Sequence, residues 1–137
     1  TQKGHGSCFV SKIPFDPDAA ILLFECGLEF KSRHIFILAL DTGSSYTIIS
    51  EAAAIQIGFD PGQVTETVSF GDASQHHIAP KVTLKSFALA NAKVDNLDVL
   101  IYTLPEEHGI DGVIGLNFLR QFNIGLDFKQ GILTLNP

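Results

Sequence analysis

Residues 35–50 read I-F-I-L-A-L-D-T-G-S-S-Y-T-I-I-S, and the one charged side chain in them, Asp41, ends an apolar run. A carboxylate at the end of a strand bound for the interior is costly unless it is hydrogen-bonded or used for chemistry. The sequence surrounds it with donors: Thr42, the N–H of Gly43, Ser44 and Ser45. Gly43 lets the chain turn sharply and bring its backbone against the carboxylate. An acid held this way at a partly dry site is suited to taking up and giving back protons. Asp-Thr-Gly by itself is weak evidence, since it arises by chance in a few per cent of chains of this length. The plain reading is a strand ending in a turn, with Asp41 holding a backbone N–H. Two features weigh against that reading. The motif lies between two hydrophobic runs, and a second apolar, glycine-bounded stretch follows downstream at Gly112-Val113-Ile114-Gly115-Leu116-Asn117.

The elements that must position these residues are mostly strands. Residues 1–18, punctuated by Gly4, Gly6, Pro14 and Pro17, read as a flexible arm or linker, leaving 19–137 as the folded domain. Residues 20–30 and 34–40 read as strands joined by the polar turn 31–33, the second delivering Asp41. After the extended segment 47–50, Ser50 is a good N-cap for a short helix over 51–57, which Gly58 stops. The alternation V-T-E-T-V-S-F over 64–70 predicts a half-buried strand. A turn at 71–75 leads into 76–85, making a polar-tipped hairpin. Further strand signals at 87–90, Val94 and 97–102 are divided by 91–93 and 95–96, and 105–109 reads as an acidic surface loop. Residues 116–122 have the apolar spacing of a two-turn helix packing through Leu116, Phe118, Leu119 and Phe122. Two short strands, 124–128 and 131–135, finish a mainly β chain.

Composition narrows the function. The chain has 137 residues, 45% of them hydrophobic and 18% charged, which suits one folded domain with a real core. A net charge of −6 with nine scattered Lys and Arg argues against a nucleic-acid partner. The longest apolar runs, 19–24 and 35–40, fall far short of the roughly 20 residues of a membrane span. The chain starts at Thr1 and contains no Met, so its natural start is expected upstream. Cys8 and Cys26 make no disulfide framework, and Cys26 reads as an inert buried thiol. His76 and His77, neighbours on a strand, point to opposite faces. With His5, His34 and His108 at no ligand-like spacing, no metal site is read. A serine or cysteine hydrolase is disfavoured by the lack of Gly-x-Ser-x-Gly and by the placement of Cys8 in the leader.

Leu40-Asp41-Thr42-Gly43-Ser44 and Val113-Ile114-Gly115, at their spacing, resemble the retropepsin-like aspartic proteases. That family carries apolar-apolar-Asp-Thr-Gly-(Ser/Ala), followed downstream by apolar-apolar-Gly leading into a short helix. The resemblance covers roughly residues 20–136. It implies a closed, mainly β acid-protease barrel with two short helices and a flap hairpin over 68–78, one lobe per chain. It also implies an aspartic endopeptidase, whose chemistry needs two carboxylates sharing one proton. Only one Asp-Thr-Gly is present, and Asp111-Gly112 lacks the Thr, so the second carboxylate is expected from the Asp41 of a second chain in an isologous homodimer. Water is the nucleophile and no cofactor is implied.

By the same resemblance Asp41 is the catalytic carboxylate. Thr42 reaches across the two-fold, Gly43 meets the substrate backbone, and Ser44 bonds the outer oxygen of Asp41. Ser45 and Tyr46 line the cleft where relatives are often acidic, a departure that bears on specificity. Phe70 and Gly71 touch substrate from the flap, while Val113 and Ile114 form the wall beside Asp41. The substrate is an extended peptide bound as a β-strand. The C-terminal strand over 132–135 is expected either to join a sheet made by both chains or to be an edge within one. The competing reading is a catalytically silent dimeric peptide-binding or scaffold module of the same fold. A further alternative is one half of a larger protease.

Overall fold

The structure, a computed structural model, describes residues 9–63, 66–72, 74–105 and 109–137. Chain order is β1 (Ser11–Pro14), β2 (Leu23–Glu29), β3 (Arg33–Leu40), β4 (Thr47–Ile49), α1 (Glu51–Gln56), β5 (Thr67–Asp72), β6 (Gln75–Leu89), β7 (Ala92–Ile101), β8 (Gly112–Ile114), α2 (Leu116–Leu119), β9 (Asn123–Asp127) and β10 (Ile132–Asn136). The mainly β class expected from short alternating segments is what the chain adopts.

Six strands close into a barrel in the order β2-β3-β8-β4-β7-β6, the ring being completed by the pairing of β2 with β6. β8 is the odd member. It comes late in the chain yet inserts between β3 and β4, parallel to the first (Leu40↔Ile114) and antiparallel to the second (Ile48↔Val113). The loop from β3 to β4, which carries Asp41, must therefore cross over the end of β8. The barrel interior is filled by alternate residues of its strands, among them Leu28, Leu38, Ile49, Leu84, Phe87, Leu89, Val99 and Ile114, all essentially without solvent exposure. Each such side chain contributes about 1.5–3 kcal/mol relative to its exposed state. α2 closes the barrel with Phe118, whose ring packs 4.8 Å from Phe87.

β5 and the outer half of β6 run beyond the barrel as a hairpin, with Phe70 opposite His77 and Asp72 opposite Gln75. The turn expected over 71–75 is thus tighter than its composition suggests, since Gly71, Asp72 and Gln75 are still paired. Residues 64–65, read as the start of this strand, lie outside the described residues, as does most of the acidic loop at 106–108. β7 is one strand, not the divided signals expected: Asn96 adopts φ 56°, interrupting the ladder between Ser86↔Asp95 and Leu84↔Leu97 without changing its register. Only Ala90 and Asn91 turn the chain between β6 and β7. α1 begins as read, the Ser50 hydroxyl accepting from the Ala53 N–H at 3.1 Å. α2 is shorter than the two turns expected, and Phe122 packs from the turn after it.

Two findings concern the ends of the chain. The segment read as a flexible arm through residue 18 is ordered into the fold from Ser11. β1 pairs with β10 (Ser11↔Leu135, Pro14↔Ile132), and Phe15 is buried with its ring edge-on to Phe24 at 6.1 Å. Apolar residues spaced among glycines and prolines concealed a strand too short to show a period. β10 is the centre of a three-stranded sheet, β1-β10-β9, and not an edge. Leu133 and Leu135 of β10 are fully buried, whereas every residue of β9 is exposed. Among the described residues, no helix is long and apolar enough to cross a membrane.

Cys26 lies inside the barrel, and burial pushes its thiol from the ordinary 9.0 up to about 12. Thiolate, the nucleophilic form, is therefore suppressed in the fold. A raised pKa means the folded state keeps a proton that the unfolded chain loses. Stability is unaffected below about pH 9 and falls as pH rises from there towards 12. In a Cys8→Ser background, alkylation of Cys26 at neutral pH should be undetectable until the chain unfolds, and should then follow the denaturation curve. Rapid labelling of the native protein would contradict the burial.

Candidate active site

The loop after β3 is held down by a ladder of backbone bonds to the strand and helix beneath it. Asp41 N–H donates to the Ile114 carbonyl at 3.0 Å, Leu116 N–H to Ser44 at 2.8 Å and Asn117 N–H to Ser45 at 3.2 Å. These bonds require β8 to pass unusually close to the returning chain. A Cβ on Gly115 would stand 2.2 Å from the Tyr46 carbonyl oxygen, and one on Gly112 would stand 2.0 Å from that of Ile48. No other residue fits at either place without moving backbone, which explains why the downstream stretch is bounded by glycine on both sides.

Thr47, which the sequence reading passed over, ties the arrangement together. It is fully buried, and its hydroxyl accepts from Gly115 N–H at 3.0 Å while donating to Asn117 Oδ1 at 2.9 Å. The same Oδ1 accepts from Thr47 N–H at 2.9 Å, and the Asn117 amide donates to the Asp98 carbonyl of β7. Thr47 and Asn117 thus satisfy one another's polar atoms across the base of the loop, as buried polar groups must be. A threonine in an otherwise apolar buried run was the available signal. Asp111, read only as an Asp-Gly without its Thr, has a structural use: its Oδ2 accepts from Ile37 N–H of β3 at 2.9 Å, just before the pairing with β8 begins.

Above this base Asp41 is half-buried, and its Oδ1 accepts from Gly43 N–H at 2.9 Å. A Cβ at Gly43 would lie 3.2 Å from the same oxygen, tight enough to push on the carboxylate. Among the described residues Asp41 has no cationic partner within ion-pair distance. The Ser44 hydroxyl, expected on the outer oxygen of Asp41, instead donates to the Tyr46 carbonyl at 2.6 Å, because the loop curls back over its own backbone. Thr42, Gly43 and Ser45 are exposed, so the loop presents its outer face to solvent.

A cavity of about 410 Å³ opens beside the carboxylate, lined by Asp41, Gly43, Ser44, Ser45 and Tyr46 from the loop and by Phe70 and Gly71 from the hairpin, with Ile48 and Leu100 at its floor. The structure thus brings together seven of the ten residues singled out from the sequence. Thr42 lies outside the cavity on the exposed side of the loop. Val113 and Ile114 do not form its wall, which corrects their expected placement. Val113 is buried in a small cluster with Ala39, Ile48, Ala79 and Leu100, and Ile114 is in the main core. They support the site from below through β8. The floor positions fall to Ile48 and Leu100, which come together only through the parallel pairing of β4 with β7, where Ile48 stands opposite Leu100. Among the described residues, no group of three His, Cys, Asp or Glu side chains gathers to hold a metal ion.

A family model described as aspartyl protease matches residues 34–118, from β3 through α2, so the chain belongs to the aspartyl protease family. Among solved structures it is similar to a retropepsin-like aspartic protease from Rickettsia conorii, with a TM-score of 0.72 and 19% identity over 94% of this chain and 92% of that one. At that identity the likeness establishes the fold, which is retropepsin-like. No curated protein sequence matches the chain.

The base of the loop yields a stability prediction. Thr47→Val leaves the Gly115 N–H without its partner and should cost about 1–3 kcal/mol. Gly115→Ala, which needs backbone to move, should cost more than Thr47→Val. Urea unfolding of the two variants checks the order, and a Gly115→Ala protein as stable as the parent would contradict the close approach.

Proposed function

We propose that the protein is an aspartic endopeptidase working as a homodimer, with one Asp41 from each chain forming the catalytic pair. The observation that carries this reading is the half-buried Asp41 carboxylate. It is oriented by Gly43 N–H, lacks a cationic partner among the described residues, and faces a cleft roofed by the β5–β6 hairpin. A structural acid would be expected to be paired or capped on both oxygens.

A single carboxylate cannot do the chemistry alone. Two carboxylates about 3 Å apart cannot both ionise easily, so one proton is shared between them, the established behaviour of aspartic-protease dyads. The ionised member takes a proton from a water held between the two as that water attacks the scissile carbonyl carbon. The protonated member gives its proton to the carbonyl oxygen. Collapse of the tetrahedral species returns the hydroxyl proton to the dyad and delivers a proton to the departing amine, so the pair ends as it began. In this reading Thr42, exposed on the outer side of the loop, meets the partner's loop. Gly43 leaves room for the substrate backbone, while Ser45, Tyr46, Phe70 and Gly71 contact an extended peptide. Closure of the hairpin excludes water and adds main-chain hydrogen bonds.

The need for a second chain agrees with the surface. On β9, Ile124 and Leu126 are paired with the buried Leu135 and Leu133, yet are 40% and 36% exposed, and Phe128 beyond them is 56% exposed. Paired residues share a sheet face, so the apolar face of this sheet overhangs the core. Among the described residues β9 also has an unpaired edge. An exposed edge carrying apolar side chains invites pairing with another chain, and we assign it to the partner subunit. The scaffold reading remains the competitor, and no observation favours it.

Wild type and Asp41→Asn, each incubated with a mixed peptide library from acidic to neutral pH at high and low protein concentration, separate the readings. Cleavage by wild type alone, lost on dilution, is expected. Cleavage that survives Asp41→Asn would overturn the mechanism, and a wild-type dimer that cuts nothing would favour the scaffold. For the interface, Leu126→Asp should shift sedimentation towards monomer and lower activity at least tenfold, or about 1.4 kcal/mol, while leaving the fold intact. An unchanged dimer would remove β9 from the interface.

A further inference from the structure

The β5–β6 hairpin is a two-stranded ribbon where it leaves the barrel, and such a ribbon is marginally stable alone. Something must set its position over Asp41. At its root Ala79 is buried and Val68 packs against the same small cluster. Lys81 holds Glu66 at 3.0 Å there as well. Nearer the tip, three rings meet. Phe70 and His77 are cross-strand partners with centroids 5.3 Å apart, and both lie against Tyr102, at 5.2 Å edge-on and 4.9 Å respectively. The Tyr102 hydroxyl and His77 Nδ1 are hydrogen-bonded at 3.2 Å. Tyr102 is in turn fixed to the barrel: it directly follows β7, and its N–H donates to the Ile49 carbonyl at 2.9 Å.

The triangle therefore connects a rigid point of the barrel to the part of the hairpin that carries cleft-lining Phe70. Tyr102 does not line the cleft itself. We propose that the Tyr102–His77 hydrogen bond is a latch that sets the height of the hairpin above Asp41 and holds the Phe70 ring against the cleft, making Tyr102 and His77 positioning residues. A hydrogen bond in a half-buried aromatic setting is directional, whereas ring contacts alone allow sliding. Its loss should free the hairpin without dissolving the barrel, whose core lies elsewhere. The consequence for peptide turnover rests on the protease reading; the consequence for the hairpin does not.

The test uses Tyr102→Phe and His77→Phe, each of which keeps a ring and removes one partner of the bond, together with the double variant. Amide hydrogen exchange at residues 68–70 and 77–79 should speed up about 5-fold in each single variant, the scale of one net hydrogen bond. Exchange in β1, β9 and β10 should not change. The double variant should match the singles, because both remove the same interaction. On a cleaved peptide, KM should rise about 3- to 10-fold with kcat within about twofold, the pattern of lost binding that is common to ground and transition states. Unchanged exchange in the hairpin, acceleration spread equally over the barrel, or summed effects in the double variant would each overturn the latch. Local acceleration in a protein that cleaves no peptide would uphold the latch and defeat the protease reading.

Discussion

Where Gly112 and Gly115 pass the carbonyls of Ile48 and Tyr46, two backbones lie closer than any side chain permits. Most of what distinguishes this molecule depends on that contact. It lets a three-residue strand from late in the chain slot between two early ones, which closes the barrel and forces the Asp41 loop to arch over the strand's end. The arch then finds hydrogen-bond partners in the first residues of α2 and in the buried Thr47–Asn117 pair. Position and rigidity of the carboxylate are thus set by packing that it does not itself touch. Preorganisation of this kind is what proton-transfer chemistry requires, because a misplaced acid loses rate steeply with small displacement.

The consequences divide the molecule into a floor and a roof. The floor is the barrel, with its apolar interior and fully satisfied polar contacts under the loop. The roof is a ribbon whose outer pairs are anchored to the barrel through Tyr102 and through the small cluster around Ala79. The cleft between them presents backbone on the Gly43 side and the Phe70 ring on the other. That division suits recognition by main-chain hydrogen bonds, with side-chain pockets adding preference.

Much of this was legible in the sequence, for identifiable reasons. Asp41-Thr42-Gly43 and Gly112–Gly115 announce themselves because chemistry and close approach each restrict residue type sharply. The Ser50 cap and the alternation before Phe70 are local signals, and local signals survive in a linear reading. Contacts between distant segments were hidden. The parallel pairing that puts Ile48 and Leu100 on the cleft floor leaves no trace in either segment alone. β1 is a four-residue strand flanked by prolines and glycines, and its pairing with β10 is visible only in three dimensions. Val113 and Ile114 lie beneath the cavity, and adjacency to the motif does not distinguish lining it from supporting it. The bond of the Ser44 hydroxyl to the Tyr46 carbonyl depends on how the loop curls, which a linear reading does not show.

On the proposed reading two chains supply one catalytic pair, and mixing subunits exposes that sharing. Wild type and Asp41→Asn would be unfolded together, refolded at fixed total concentration, and assayed for cleavage across mixing ratios. If each active site needs both carboxylates, activity follows the square of the wild-type fraction, so an equal mixture keeps about one quarter of it. An equal mixture that keeps about one half would mean that each chain cleaves by itself, and would contradict the shared dyad.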